Sequence, residues 1–197
     1  MPLHGDACLQ ELRKSNLWRL YIDSESGRLD PDVKPLLSKL WARGYVTVSS
    51  CSGRIALKAT RTGIEDKRGG GVLRAWHVEP PTVDDLWRLA SSAASEYKIV
   101  WVSVEPPIVA LYASSSSDAE MLVRAAVSAG LKYSCYRSSS CGFYVVLRGE
   151  TRLDILLAVD GELVLDRGGL ERAYSVLLEV FKRGKRVLHR LVRAVDW

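Results

Sequence analysis

Apolar and polar positions along the chain change period several times, and each change marks an element. Residues 7–18 carry a loosely helical spacing. From Asp30-Pro31 onward, Val33, Leu36, Leu37, Leu40 and Trp41 recur at steps of three and four. That spacing predicts an amphipathic helix capped by Asp30, opened by Pro31 and closed by Gly44. The period then shortens to that of strands at 45–49, 54–59 and 72–78, with a charged, glycine-rich loop at 60–71 before the last. Thr82 with Asp85 forms a capping box ahead of a helix running to Glu96. Strands at 98–104 and 108–113, joined by Glu105-Pro106-Pro107, lead to a helix at 118–129 capped by Ser117 and stopped by Gly130. Further strands follow at 132–137, 142–148, 153–159 and 162–165, the last two joined through an Asp160-Gly161 hairpin turn. In the final segment Leu177, Phe181, Leu188, Leu191 and Val195 make one apolar helical seam. Arg183, Arg186, Arg190 and Arg193 fall on the opposite face.

Strand runs joined by hairpins, with helices between the runs, predict an α+β fold with a mixed, largely antiparallel sheet. No strand-helix alternation supports a Rossmann-type nucleotide fold. Gly69-Gly70-Gly71 precedes a strand, whereas the dinucleotide fingerprint follows one and opens a helix. At 197 residues and 47% hydrophobic, the chain is expected to form a single compact domain over 1–197, or two related, intimately packed halves.

Among the strand segments, Val46 to Leu57 stands apart. Two apolar runs are interrupted by Ser49, Ser50, Cys51, Ser52 and Gly53, and Arg54 follows. Small residues let a backbone approach a ligand and aim N–H groups and hydroxyls at it. Arg54 adds a planar fork for a carboxylate or phosphate. The competing reading is a serine-rich hairpin whose hydroxyls satisfy its own backbone.

The stretch Ser49-Ser50-Cys51-Ser52-Gly53-Arg54-Ile55 resembles the signature of the wybutosine-synthesis tRNA methyltransferase family. Asp23-Ser24 with Gly27 and Asp30, Trp76-His77, Val104-Glu105-Pro106 before the run at 108–111, the small residues at 125–130, and 163–165 before a basic helix follow that family's order. The resemblance implies methylation of N4 of a 4-demethylwyosine-type tricyclic guanosine at position 37 of tRNA(Phe). It also implies S-adenosyl-L-methionine as cofactor, held outside a Rossmann scaffold, and the anticodon region of tRNA(Phe) as partner. Asp23 and His77 are then the candidates for orienting or deprotonating the nitrogen, since each accepts a hydrogen bond without a metal. For Asp23 the alternative is a turn aspartate, and for His77 a satisfied core histidine. Ser49, Ser50, Cys51, Ser52, Gly53, Arg54 and Glu105 become candidates for binding cofactor or substrate. Arg54 has three possible partners: the cofactor carboxylate, a phosphate, or an internal acid such as Glu105. Glu105 either bonds the cofactor ribose or ends its strand. Asp30 is explained by its cap, and Cys51 lines the pocket because N-methylation needs no covalent intermediate.

Charge sharpens the RNA side of this reading. The formal net charge is +5, and Lys182, Arg183, Lys185, Arg186, Arg190 and Arg193 cluster near the C-terminus. A basic stripe suits RNA phosphates, although an ordinary solvated face has the same composition. Of the tryptophans, Trp18, Trp41, Trp87 and Trp101 sit in core-like settings, which leaves Trp76 and Trp197 as candidate RNA contacts.

The cysteines, Cys8, Cys51, Cys135 and Cys141, form no CxxC pair, and His4, His77 and His189 complete no zinc spacing, so no metal site is expected. Cys135 and Cys141 are expected as buried thiols, with pairing across a hairpin as the alternative. No leader and no apolar run of membrane-spanning length is evident, which predicts a cytoplasmic protein without a membrane partner. A single Asn and a single Gln, with Arg in excess of Lys, suggest a thermophilic source. A monomer is favoured, although oligomeric state is not readable. Two other functions fit less of the chain: a non-catalytic RNA-binding module, and a cysteine-dependent transferase built on Ser50-Cys51-Ser52.

Overall fold

The computed structural model describes residues 4–63 and 70–196, with side chains from residue 7 onward. In chain order the elements are α1 (His4–Glu25), α2 (Lys34–Ala42), β1 (Val46–Cys51), β2 (Arg54–Thr60), β3 (Gly70–Trp76), α3 (Val83–Ala94), β4 (Ile99–Glu105) and β5 (Ile108–Ala113). They continue with α4 (Ser116–Ala129), β6 (Cys135–Ser139), β7 (Gly142–Arg148), β8 (Leu153–Val159), β9 (Glu162–Leu163) and α5 (Arg167–Ala194). The α+β class holds, and the strands divide between two sheets ordered β1-β5-β7-β6 and β3-β2-β4-β8-β9. Every strand pairing among the described residues is antiparallel.

The chain forms two compact units, one of residues 1–52, 106–150 and 184–197 and the other of residues 53–105 and 151–183. In the first unit, β1, β5 and β7 turn Val46, Leu111, Val145 and Leu147 toward Leu36 and Leu40 of α2, Leu122 of α4, and Leu188 and Leu191 of α5. Each such side chain, fully buried, contributes about 1.5–3 kcal/mol of transfer free energy. Helix α2 begins at Lys34, later than its sequence signals suggest. Asp30 caps a preceding turn instead, its Oδ1 accepting the Asp32 N–H at 3.2 Å, and Pro35, not Pro31, lies in the first helical turn. Likewise Ser115, not Ser117, caps α4, accepting the Asp118 N–H at 3.1 Å. Gly130 ends that helix at φ +106°, a left-handed conformation that glycine adopts without strain.

The second unit packs α3 and the first half of α5 on one face of its sheet. Ile55 and Leu57 of β2 and Val100, Val102 and Val104 of β4 meet Leu86 and Ala90 of α3 and Leu170, Leu177 and Phe181 of α5. The capping box at Thr82 forms as expected, and Asp160-Gly161 turns with φ of +50° and +89°, as a two-residue hairpin requires. Strand β3 opens at Gly70, and the part of the expected loop at 64–69 lies outside the described residues.

Expectations about the cysteines are corrected. Cys8 of α1 and Cys141 form a disulfide. Cys135 is exposed, and it cannot pair with Cys141 because the β6–β7 register sets it opposite Val146 while Cys141 occupies the turn at the other end of the hairpin. The bridge ties residues 133 positions apart, and the loop-closure entropy it removes from the unfolded chain corresponds to about 5 kcal/mol as an upper value, with about 2–4 kcal/mol typical of disulfides. Cys8→Ser is therefore expected to lower the melting temperature in oxidising buffer, and reductant should lower the wild type to the same value and leave the variant unchanged. Equal melting temperatures for both proteins with and without reductant would show that the bridge contributes nothing.

Candidate active site

The serine-rich segment is not a hairpin. Strand β1 pairs with β5, while β2 pairs with β3 and β4, so Ser52 and Gly53 carry the chain out of one sheet and into the other. An irregularity between Thr47 and Ser49 and a φ of +86° at Gly53 accompany the change of direction. Ser49, Ser50 and Cys51 stay in the β1 ladder opposite Ala110, Val109 and Ile108.

Ser52 is fully buried and held on two sides within the first unit. Its N–H donates to Asp30 Oδ2 at 3.1 Å, and its hydroxyl accepts from Lys185 Nζ, which also meets Asp32 Oδ2 at 2.7 Å. Asp30 thus does more than cap a turn: one oxygen shapes residues 30–32 and the other takes an amide of the motif. That amide faces an internal carboxylate. Lys185 carries no local signal for this role, since 133 residues separate it from Ser52.

In the second unit Arg54 meets the acid named among its alternatives. Its Nε donates to Glu105 Oε2 at 2.6 Å, and Lys58 Nζ donates to Oε1 at 2.5 Å. Arg54 and Glu105 are register partners, and Lys58, four positions along β2, projects from the same face. Burial raises the Glu105 pKa, but hydrogen bonds from Lys58 and Arg54 and their positive charges outweigh it and hold the carboxyl below its ordinary value. Beside them Asp154 of β8 accepts from Ser103, fully buried on β4, and from Arg152 Nε at 2.7 Å. Its pKa is raised by burial and brought below the ordinary value by bonds from Arg152 and Ser103.

A carboxylate whose folded pKa is depressed contributes stability above its unfolded pKa and loses it as pH falls through the folded one. Glu105→Gln is therefore expected to be less stable than wild type at pH 7, with the gap closing as pH falls below about 4. Denaturant unfolding across that range checks it; a gap independent of pH would remove ionised Glu105 from the stability of this face.

Asp23 is not in a turn but in the last turn of α1, where Arg28 Nε lies 3.1 Å from Oδ1 and Arg19 Nε 3.9 Å from Oδ2. With Trp18, Arg19, Ile22 and Arg28 it lines an open groove of about 540 Å³. Trp18 is 65% exposed and stacks on Tyr21 at 5.8 Å, contrary to the core setting expected of it. The reason is the spacing of α1, whose Leu9, Leu12 and Leu20 meet the core and leave the opposite face aromatic and open. His77 follows β3 directly in the second unit and is half-buried. Trp41 is buried as expected, Trp87 and Trp101 are half-buried, and Trp76 packs partly on the core with the Arg74 guanidinium 5.7 Å from its ring. Trp197 lies outside the described residues.

On α5 the predicted seam is buried from Leu177 to Val195, and Arg183, Arg186, Arg190 and Arg193 are all exposed. Arg190 also closes α4, its Nε donating to the Ala129 carbonyl at 2.9 Å. No described helix is long and apolar enough to cross a membrane.

Known proteins share this architecture along its whole length. The structure of the PH1069 protein from Pyrococcus horikoshii superposes with a TM-score of 0.86 at 30% identity, covering 98% of this chain and 99% of that one. A protein of Pyrococcus horikoshii named tRNA(Phe) 7-((3-amino-3-carboxypropyl)-4-demethylwyosine(37)-N(4))-methyltransferase 1 is 32% identical over 189 residues, which cover 95% of this chain and 94% of that one. A methyltransferase of the same activity name from Saccharolobus solfataricus is 29% identical over 185 residues, covering 92% and 87%. The sequence model of the family described as Methyltransferase TYW3 matches residues 5–196, and the chain belongs to that family.

Proposed function

We propose that this chain methylates N4 of a 4-demethylwyosine-type tricyclic guanosine at position 37 of tRNA(Phe), with S-adenosyl-L-methionine as methyl donor. The observation that carries the reading is the family match over residues 5–196, joined to 32% identity over 189 residues with the Pyrococcus enzyme of that name. The cofactor supplies an electrophilic methyl on sulfur. The protein then has to align N4 with that methyl and accept the N–H proton, a task of positioning more than of acid chemistry.

Asp23 is assigned the proton-accepting or orienting role, with Arg28 Nε 3.1 Å from its carboxylate in the open groove beside Trp18. Trp18 in the same groove offers a stacking face for a flat ring, as single-stranded RNA bases require. His77 is the second candidate for orienting the nitrogen. Ser49, Ser50, Cys51, Ser52, Gly53, Arg54 and Glu105 are assigned to cofactor or substrate binding, and the arginines of α5 to the tRNA backbone.

The test is transfer of labelled methyl from S-adenosyl-L-methionine to tRNA(Phe) carrying the demethylated tricyclic intermediate, with unmodified tRNA as control. Label confined to the modified tRNA supports the reading. Folded protein that binds that tRNA yet transfers nothing would make the chain a non-catalytic RNA-binding module.

Reversing Arg186 and Arg193 together to Glu, and sparing Arg190 because it also closes α4, should reduce the slope of log affinity against log salt by about 1.5–2 for tRNA. A slope equal to wild type would return this face to ordinary solvation.

A further inference from the structure

The second unit carries its charges in an order that neither a sheet surface nor a methyl transfer by itself requires. Away from the helices, β2 presents Arg54 and Lys58, β4 presents Ser103 and Glu105, and β8 presents Asp154 with Arg152 just before it. Across the strands Arg54 stands opposite Glu105, and Ser103 opposite Asp154. Three cations and two carboxylates therefore alternate over neighbouring strands. Lys58, Glu105 and Arg54 are partly withdrawn from water, with side-chain exposures of 15%, 24% and 29%, whereas Asp154 and Arg152 are exposed.

Two features separate this cluster from a closed structural network. Arg54 engages Glu105 through Nε alone, and among the described residues its two terminal amines meet no protein acceptor. No buried side-chain polar atom is left without a partner, so those amines reach solvent. An arginine fixed at Nε with its outer prongs open is set for a second carboxylate. The adjoining row runs from Lys58 into apolar surface, with Trp101 half-buried and Leu156 41% exposed.

We propose that this sheet face binds the α-amino-carboxylate end of a ligand. The carboxylate sits on the open prongs of Arg54, the ammonium faces Glu105 and Asp154, and the short aliphatic segment lies along Trp101 and Leu156. An α-amino acid carries its ammonium and carboxylate groups on one carbon, so its receptor needs a cation and an anion about one strand spacing, ~4.8 Å, apart, and adjacent strands supply that. Lys58 and Arg152 hold the two carboxylates ionised and in place, which makes them positioning residues.

The inference rests on the proposed methyl transfer for the identity of the ligand. Two participants carry this group: the donor, as its methionine portion, and an acceptor base bearing the 3-amino-3-carboxypropyl substituent that appears in the name of the Pyrococcus relative.

The experiment has one arm for each source. In the first, calorimetry compares S-adenosylhomocysteine with 5′-methylthioadenosine, which lacks the amino-acid end, for the wild type, Arg54→Gln, Asp154→Asn and Asp154→Glu, all checked for folding by circular dichroism. Loss of at least about tenfold of the preference for S-adenosylhomocysteine in Arg54→Gln and Asp154→Asn, with 5′-methylthioadenosine binding unchanged and Asp154→Glu near wild type, assigns the face to the donor. In the second, KM is compared for tRNA with and without the 3-amino-3-carboxypropyl group. Collapse of that discrimination with the first ratio intact assigns the face to the acceptor. Folded variants that move neither ratio overturn the proposal and return the charges to sheet stability. Wild-type protein that methylates neither tRNA counts against the proposed function alone, because the calorimetric arm still decides the inference.

Discussion

Arg54→Ala is expected to abolish most methyl transfer, by about a hundredfold or more in kcat/KM, while leaving a folded protein. The two effects separate because Glu105 has a second cation. Without Arg54 its carboxylate keeps the Lys58 ammonium at 2.5 Å, so the fold loses one charge-assisted bond, costing about 1.5–3 kcal/mol, and no buried charge is left alone. The site loses more, since the alanine carries neither the fork nor the charge beside Ser52-Gly53. Arg54→Lys tests which of these matters: it keeps a positive charge but cannot hold Glu105 through Nε and still present two outer donors. We expect the lysine variant to recover stability and little of the rate. Single-turnover methylation with unfolding measured in parallel checks both, and normal methylation by a folded Arg54→Ala would withdraw the motif from the site.

The sequence made the elements legible wherever chemistry was local. The capping box at Thr82 and Asp85, the glycine stop at Gly130, the Asp160-Gly161 turn and the seam from Leu177 to Val195 are each decided within a few residues. The break of five small residues between apolar runs was equally visible, although that pattern alone fits a ligand-binding turn and a self-satisfied hairpin alike. What it joins was not visible. Val46 to Leu57 reads as a hairpin from its own pattern, and only the pairing of β1 with β5 and of β2 with β4 distributes its strands between two sheets. Partners distant along the chain were hidden for the same reason. Lys185 belongs by its spacing to a solvated basic helix, yet it reaches Ser52 and Asp32. Asp30 satisfies a local cap so well that nothing in the sequence asks for its second bond, to the Ser52 amide. Lys58 and Asp154 were readable in part, since strand alternation sets Lys58 on the face of Arg54 and Asp154 on the face of Ser103 once the register is known. Trp18 is illegible because α1 has no sustained apolar stripe, and an aromatic among leucines has the local pattern of a core residue.

Lys185→Ala is expected to cost about 2–3 kcal/mol, less than a fully buried pair would because Asp32 keeps 28% of its side chain exposed. The loss has two parts: Asp32 is left without its 2.7 Å cation, and the buried Ser52 hydroxyl loses its donor. Removing the anion as well should relieve the first part and not the second. Lys185→Ala with Asp32→Asn is therefore expected to be more stable than the sum of the single variants by about 1 kcal/mol or more, as coupled neighbours are. The same pair distinguishes a structural lysine from a working one. If Lys185 serves only to hold residues 30–32 against Ser52, the double variant should regain activity in step with its stability. If stability returns and methyl transfer does not, the ammonium itself contributes to the reaction through the Ser52 hydroxyl. Additivity of the two substitutions within error would show instead that Lys185 and Asp32 do not act on each other, and would remove their bridge from the link between the turn at Asp30 and the serine motif.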